Sequence, residues 1–350
     1  MWLLLASLLS AGAVTRAGGD TALDCAGIAR RYVGRWTAPP TRVPTQKLVD
    51  GPILGNGDLG VTLGGPPEAL TWYLGMNQFW ALENWRHGSV GHNDLRPFPS
   101  PVQVAQVALV APALAGSAYN LTQDIADGVV RAEFRGANGT LRVVSWVEPQ
   151  NATVGATLTW DGARPLAARL TTSASAAICV NSSIDGPSGE EVCAPHSTMP
   201  VLASSGRSGD VAWVKRMAST PSSSFNISAA VGTRLITSRV RCRSWPCALL
   251  SAHKIAAGQG SAIVGAAEDA PPPRVPTVSS ASALVVPAGG QEVSVMTSVL
   301  TSHDLDASEP GVPPRGSNVD PLPALLRRIA AAADGGAARR SMAMAVEYQR

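Results

Sequence analysis

Short runs of alternating or β-branched residues recur along most of this chain, and turn residues separate them. They include "VQVAQVALV" at 102–110, "GVVRAEF" at 128–134, "TLRVVSWVEP" at 140–149, "VGATLTW" at 154–160 and "LAARLTT" at 166–172. "DVAWVKRMA" at 210–218, "GTRLITSRVRC" at 232–242, "ASALVVPAGG" at 281–290 and "QEVSVMTSVLTS" at 291–302 continue the series. A period of two puts alternate side chains on one face of a strand, so each run has a face to bury. Asn138-Gly139, Asp161-Gly162 and Pro287-Ala288-Gly289-Gly290 supply turns between them. Amphipathic helices are nearly absent before residue 320. The pattern predicts a mainly β fold, a large antiparallel β-supersandwich over 30–305, and excludes alternating β and α units. With 350 residues and 45% hydrophobic content, the chain can fill such a core.

The character changes near the C-terminus. Residues 303–323 have the composition of a linker. Asp320 is placed to cap a helix, Pro321 suits a first helical turn, and "LLRRIAAAAD" follows. Gly335-Gly336 interrupts this helix, and a second helical stretch runs to Arg350 without a capping residue. Residues 306–350 therefore read as a linker and the start of a truncated helical region.

Residues 51–65, "GPILGNGDLGVTLGG", contain a G-x-G-x-x-G pattern. A dinucleotide fingerprint needs a helix after the glycines, to bring its N-terminus to the pyrophosphate. Here Val61-Thr62 and Gly64-Gly65-Pro66-Pro67 follow, and a P-loop Gly-Lys-Ser/Thr is missing. The segment reads instead as a hairpin: Gly55, Asn56, Gly57, Asp58 and Gly60 are its turn residues, with Asn56-Gly57 at the bend. Gly60 and Gly64, on one strand face, would let another segment approach closely. Trp72, Tyr73, Phe79, Trp80 and Trp85 come next, mixed with Asn77, Gln78, Glu83 and Asn84. Flat aromatic faces beside amides are what a sugar-contacting surface needs, and equally what seals a core.

Charged residues make up only 15% of the chain, and the net charge of +3 is scattered. Arg327-Arg328 and Arg339-Arg340 are short pairs on a helical stretch, so a nucleic-acid partner is not expected. Residues 1–17 have the layout of a signal peptide: an apolar run too short to cross a bilayer, then small residues. Removal of that segment would leave no membrane anchor. Five N-x-S/T sequons, at Asn120, Asn138, Asn151, Asn181 and Asn226, fit a secreted or secretory-lumen protein. Cys179 with Cys193, and Cys242 with Cys247, are close enough in sequence to pair in an oxidising compartment, leaving Cys25 over. Cys193, His196, Cys242 and Cys247 lack the usual zinc-knuckle spacing, and His87, His92 and Asp94 lie in a loop; no metal and no cofactor are expected.

The stretch from Asp50 to Trp80 resembles the N-terminal segment of α-L-fucosidases of glycoside hydrolase family 95 and their relatives in the same clan. Pro52, the run Leu54-Gly55-Asn56-Gly57-Asp58-Leu59-Gly60, then Asn77 and Trp80 carry the resemblance. "APALAGSAYNLTQDIADGVVRAEF" and "VVPAGGQEVSVMTSVLTSHD" are similar to later strands of the same domain, so the likeness spans about 45–305. The resemblance implies a leading β-supersandwich, a helical linker and an (α/α)6 barrel that holds the catalytic carboxylates. The barrel is expected beyond residue 350. It implies a carbohydrate partner, no catalytic residue within these residues, and Asn77, Trp80 and Glu83 as substrate contacts at the cleft edge. Glycoside hydrolysis usually needs two opposed carboxylates, and Asp58, Glu83 and Asp94 show no such pairing in sequence. The alternative is a stand-alone carbohydrate-binding or structural sandwich, with a mutarotase-like epimerase as a third option.

Overall fold

The computed structural model describes residues 25–40, 49–85, 96–175, 177–179, 182–184, 191–193, 198–200, 202–219, 226–237, 277–302 and 320–331. The chain enters through a short helix, α1 (Cys25–Ala29), and then forms strands. They are β1 (Val33–Trp36), β2 (Ile53–Gly55), β3 (Leu59–Gly64), β4 (Ala69–Trp85), β5 (Arg96–Val110), β6 (Ala118–Asp124), β7 (Val129–Gly136), β8 (Gly139–Val147), β9 (Thr153–Trp160) and β10 (Leu166–Ser175). Four short strands follow: β11 (Ala177–Cys179), β12 (Ser182–Ile184), β13 (Glu191–Cys193) and β14 (Thr198–Pro200). The last are β15 (Leu202–Ser208), β16 (Val211–Ser219), β17 (Asn226–Thr237), β18 (Thr277–Val286) and β19 (Glu292–Thr301), before helix α2 (Leu322–Ala331).

Two antiparallel sheets carry the fold. One has nine strands in the order β1-β6-β7-β8-β9-β19-β17-β16-β15; the other has six, β18-β10-β5-β4-β3-β2. The expected β-sandwich is therefore the observed class. Alternation explains it strand by strand. In β7, Val130, Ala132 and Phe134 are buried while Arg131 and Arg135 are exposed. The facing layers bury Leu63, Leu70, Leu74 and Leu109 from the smaller sheet against Leu121, Leu141, Leu158 and Val231 from the larger. Each such side chain contributes about 1.5–3 kcal/mol when fully withdrawn from water. A few polar bonds cross between the sheets: Trp72 Nε1 donates to Ser145 Oγ at 3.0 Å, and Thr172 Oγ1 donates to Thr233 Oγ1 at 2.8 Å. Both pairs are buried, so both partners must be present for neither to be costly.

Helix α2 covers the outer face of the nine-stranded sheet. Asp320 caps it, accepting the Leu322 N–H at 3.0 Å, as the sequence predicted, and also pairs with Lys215 at 2.9 Å. Leu325 and Ile329 bury against Val211, Ala230 and Leu300. Gly232 leaves the room: a Cβ there would stand 2.5 Å from Ile329 Cδ1. No helix among the described residues is long and apolar enough to cross a membrane.

Two expectations about cysteines and sugars meet the structure unevenly. Cys179 stands opposite Thr198, and Cys193 opposite Ser182, so the expected Cys179–Cys193 pair is not in cross-strand register. The offset follows from nesting: β12 with β13 lies inside β11 with β14, and the two cysteines sit on different rungs. Asn120, Asn138 and Asn151 are exposed, and Asn226 opens β17. Residues 1–17, Asn181, Cys242 and Cys247 lie outside the described residues.

Candidate functional site

The hairpin between β2 and β3 is built by Asn56. Its N–H donates to the Leu59 carbonyl at 3.2 Å, which leaves Gly57 and Asp58 as the two central residues. The bend thus sits one residue later than the expected Asn56-Gly57. Gly57 takes the positive φ, at +96°, that the first central position demands. Asn56 contributes its side chain instead. Its Oδ1 accepts the N–H groups of Asp58 (3.0 Å) and Leu59 (2.9 Å), while Nδ2 donates to the carbonyls of Glu148 (2.8 Å) and Asn151 (3.1 Å). That is the full capacity of a side-chain amide. It bends its own hairpin and ties it to the β8–β9 turn. Gly60 does not perform the close approach expected of it: a Cβ there would meet nothing nearer than the Gly75 carbonyl at 3.9 Å.

The second half of the corner lies on β4. Asn77 continues the β3–β4 ladder, its N–H donating to the Asp58 carbonyl at 2.9 Å. Its exposed side-chain amide donates to the Gly57 carbonyl at 3.0 Å and to Asp58 Oδ1 at 3.1 Å. Trp80 then folds its indole N–H back onto the Asn77 carbonyl. Here the β4–β5 pairing slips: Gly75 faces Gln103, but Trp80 faces Pro101. Three extra residues therefore stand on β4, a bulge of the kind that re-aims side chains. Phe79, fully buried, anchors it inward, and Met76 is 4% exposed beside it.

The aromatic cluster divides. Trp72 and Phe79 belong to the core, at 3% and 0% exposure, while Trp80 is half-buried at the surface. Glu83 lies further out on β4, paired in register with Phe98; His87, His92 and Asp94 fall outside the described residues. The structure thus brings Asn77 and Trp80 together with Gly57 and Asp58. A separate cleft of about 150 Å³ opens on the other side of the hairpin, lined by Ile53, Asn56, Gln123, Ile125, Val147 and Pro149 among others. Its polar groups are engaged by the chain itself: Asn56 as above, Gln123 Nε2 on the Ile53 carbonyl, and Asp124 with Arg131. Among the described residues, no three His, Cys, Asp or Glu side chains gather as a metal site would need.

Sequence reasoning missed Arg216. It lies on β16 at 3% exposure, and one guanidinium nitrogen donates to the Gln103 carbonyl on the opposite sheet. Burial lowers its pKa to about 10, which leaves it charged at neutral pH. The signal was present: Ala212, Val214 and Arg216 share the inward phase of the run, so the arginine interrupts an apolar alternation.

No protein-family model matches the chain, and no curated protein matches it. Among solved structures, a candidate kojibiose phosphorylase from human microbiome superposes with a TM-score of 0.45 at 8% identity. The match covers 85% of this chain and 32% of that one, so this chain spans about a third of that protein's length.

Proposed function

We propose that this chain is the β-sandwich part of an exported glycoside hydrolase of the α-L-fucosidase-like kind, and that the Asn77–Trp80 corner edges its carbohydrate cleft. One observation carries the reading. The two halves of the fucosidase-like signature, twenty residues apart, are bonded to each other through Asn77 and Gly57, so the signature is one built unit. An exposed amide and a half-buried indole then stand side by side at a strand bulge. Asn120, Asn138 and Asn151 are exposed, as glycan attachment in a secretory compartment would require. Bond cleavage is assigned to the helical barrel that the resemblance implies, with Glu83, further along β4, as an additional contact.

One observation favours the rival, a sandwich whose corner is only structural. The Asn77 amide and the Trp80 indole N–H are both spent within the chain. Trp80→Ala in the full-length protein separates the two, with calorimetric titration of fucosyl, galactosyl and glucosyl oligosaccharides beside thermal melts. The proposal expects at least a tenfold loss of affinity for one sugar class with a small change in melting temperature. Unchanged affinity with a lowered melting temperature would return Trp80 to a packing role.

A further inference from the structure

The slip in the six-stranded sheet is held from the other sheet. At Leu74–Gly75 the register gains a residue on β5, because Leu74 faces Ala105 and Gly75 faces Gln103. Val104 and Ala105 are consequently both buried, at 1% and 2% exposure. Immediately afterwards β4 gains its three residues. A ladder interrupted twice loses regular pairing on both sides of Gly75 and Gln103. The buried Arg216 guanidinium donates to the Gln103 carbonyl at this break. Beside it, Thr301 Oγ1 donates to Gln78 Oε1 at 3.2 Å, from β19 to the bulge itself. Arg216 and Thr301 are two strands apart in the same rung, since both flank Ala229. Ala203 and Ala229, the cross-strand neighbours of Arg216, are small and leave space for its guanidinium.

A charge taken into a β-sandwich is expensive, and an apolar residue of like volume would pack there at lower cost. The guanidinium is placed where two irregularities meet, on the strand opposite the residues that the sequence resemblance singles out. Gln78 lies between Asn77 and Trp80, so any shift of the bulge moves both. We propose that Arg216 is a positioning residue for the Asn77–Trp80 corner, acting through the Gln103 carbonyl, with the Thr301–Gln78 bond as its second clamp. The inference rests on that corner being the site named above.

The Trp80 indole reports on it directly, because its N–H is bonded across the bulge to Asn77. In the full chain, labelled at the indole nitrogens and assigned with Trp80→Phe, Arg216→Met should displace the Trp80 resonance and speed its hydrogen exchange at least tenfold. Trp160, whose indole N–H is bonded to the Arg164 carbonyl at 2.7 Å, is the internal control and should not move. Arg216→Lys should restore part of the protection, since an ammonium can still donate. Where Arg216→Met does not fold, Thr301→Val removes the second clamp alone and should displace the same resonance. A Trp80 signal unmoved in Arg216→Lys and Thr301→Val, with a lowered melting temperature, overturns the inference. Wild-type protein that binds no sugar while Trp80 still responds overturns the site reading and leaves the clamp.

Discussion

The side-chain amide of Asn56 donates to the carbonyl of Glu148 at 2.8 Å, across 92 residues of sequence. A residue chosen for a local bend thereby joins the smaller sheet to a turn of the larger one. Neither role alone explains asparagine. Aspartate would serve the bend, since its carboxylate can accept the same two N–H groups. Only an amide also donates to the two carbonyls on the far side.

Asn56→Asp should therefore be no milder than Asn56→Ala. It would keep the acceptors, lose both donors and set a negative charge against the Glu148 and Asn151 carbonyls. Each substitution should cost about 1–3 kcal/mol of unfolding free energy: alanine loses two partly buried and two exposed hydrogen bonds, and aspartate loses one of each and adds the charge. Urea unfolding of the two variants checks the order. Aspartate matching wild type would mean that the donor contacts contribute nothing.

Glycine at 155 makes a second case. It pairs with Trp146 across β8 and β9, and a Cβ there would lie 2.3 Å from Cζ2 of a fully buried indole. Val129, Ile236 and Met296 close the cluster around that ring, so it has little room to retreat. Gly155→Ala should cost about 1–3 kcal/mol through overpacking. Gly60→Ala, in open space, should stay within about 0.5 kcal/mol. Thermal melts of the pair decide it, and equal costs would show that the Trp146 ring yields freely.

The contrast between those glycines shows where the sequence was legible. The strands could be read, because alternation is local: β7, β8, β9, β10, β16 and β19 each fall within two or three residues of a run visible by eye. Helix α2 could be read from Asp320 and Pro321 for the same reason. The turn was displaced by one residue, because an Asn-Gly pair favours a bend without fixing which residues are central. Gly60 and Gly155 could not be told apart, since what covers a glycine comes from elsewhere in the chain. Asn77 stands out in the sequence as a polar contact, but its partner Gly57 lies in the β2–β3 turn, twenty residues away. Arg216 broke its own alternation in plain view; only the opposite sheet shows that Gln103 is what it meets.

Tyr119 carries a pH-dependent consequence. Its ring packs on Phe134, centroids 5.3 Å apart, and its hydroxyl is buried without a hydrogen-bond partner among the described residues. Burial pushes the phenol pKa up from 10.0 to about 12, because the phenolate would lose its hydration. In the unfolded chain the group ionises near the ordinary value, so the unfolded state sheds its proton first. The stability tied to the neutral phenol is whole below about pH 10 and is lost as pH rises through about 12. Tyr119→Phe removes both the titration and a desolvated hydroxyl. It should leave neutral-pH stability equal or higher by up to about 1–2 kcal/mol, and flatten the decline between pH 10 and pH 12 relative to wild type. Denaturant midpoints measured across that range test the sign. A phenylalanine variant less stable than wild type at neutral pH would mean that the hydroxyl holds a partner, and the alkaline argument would fall with it.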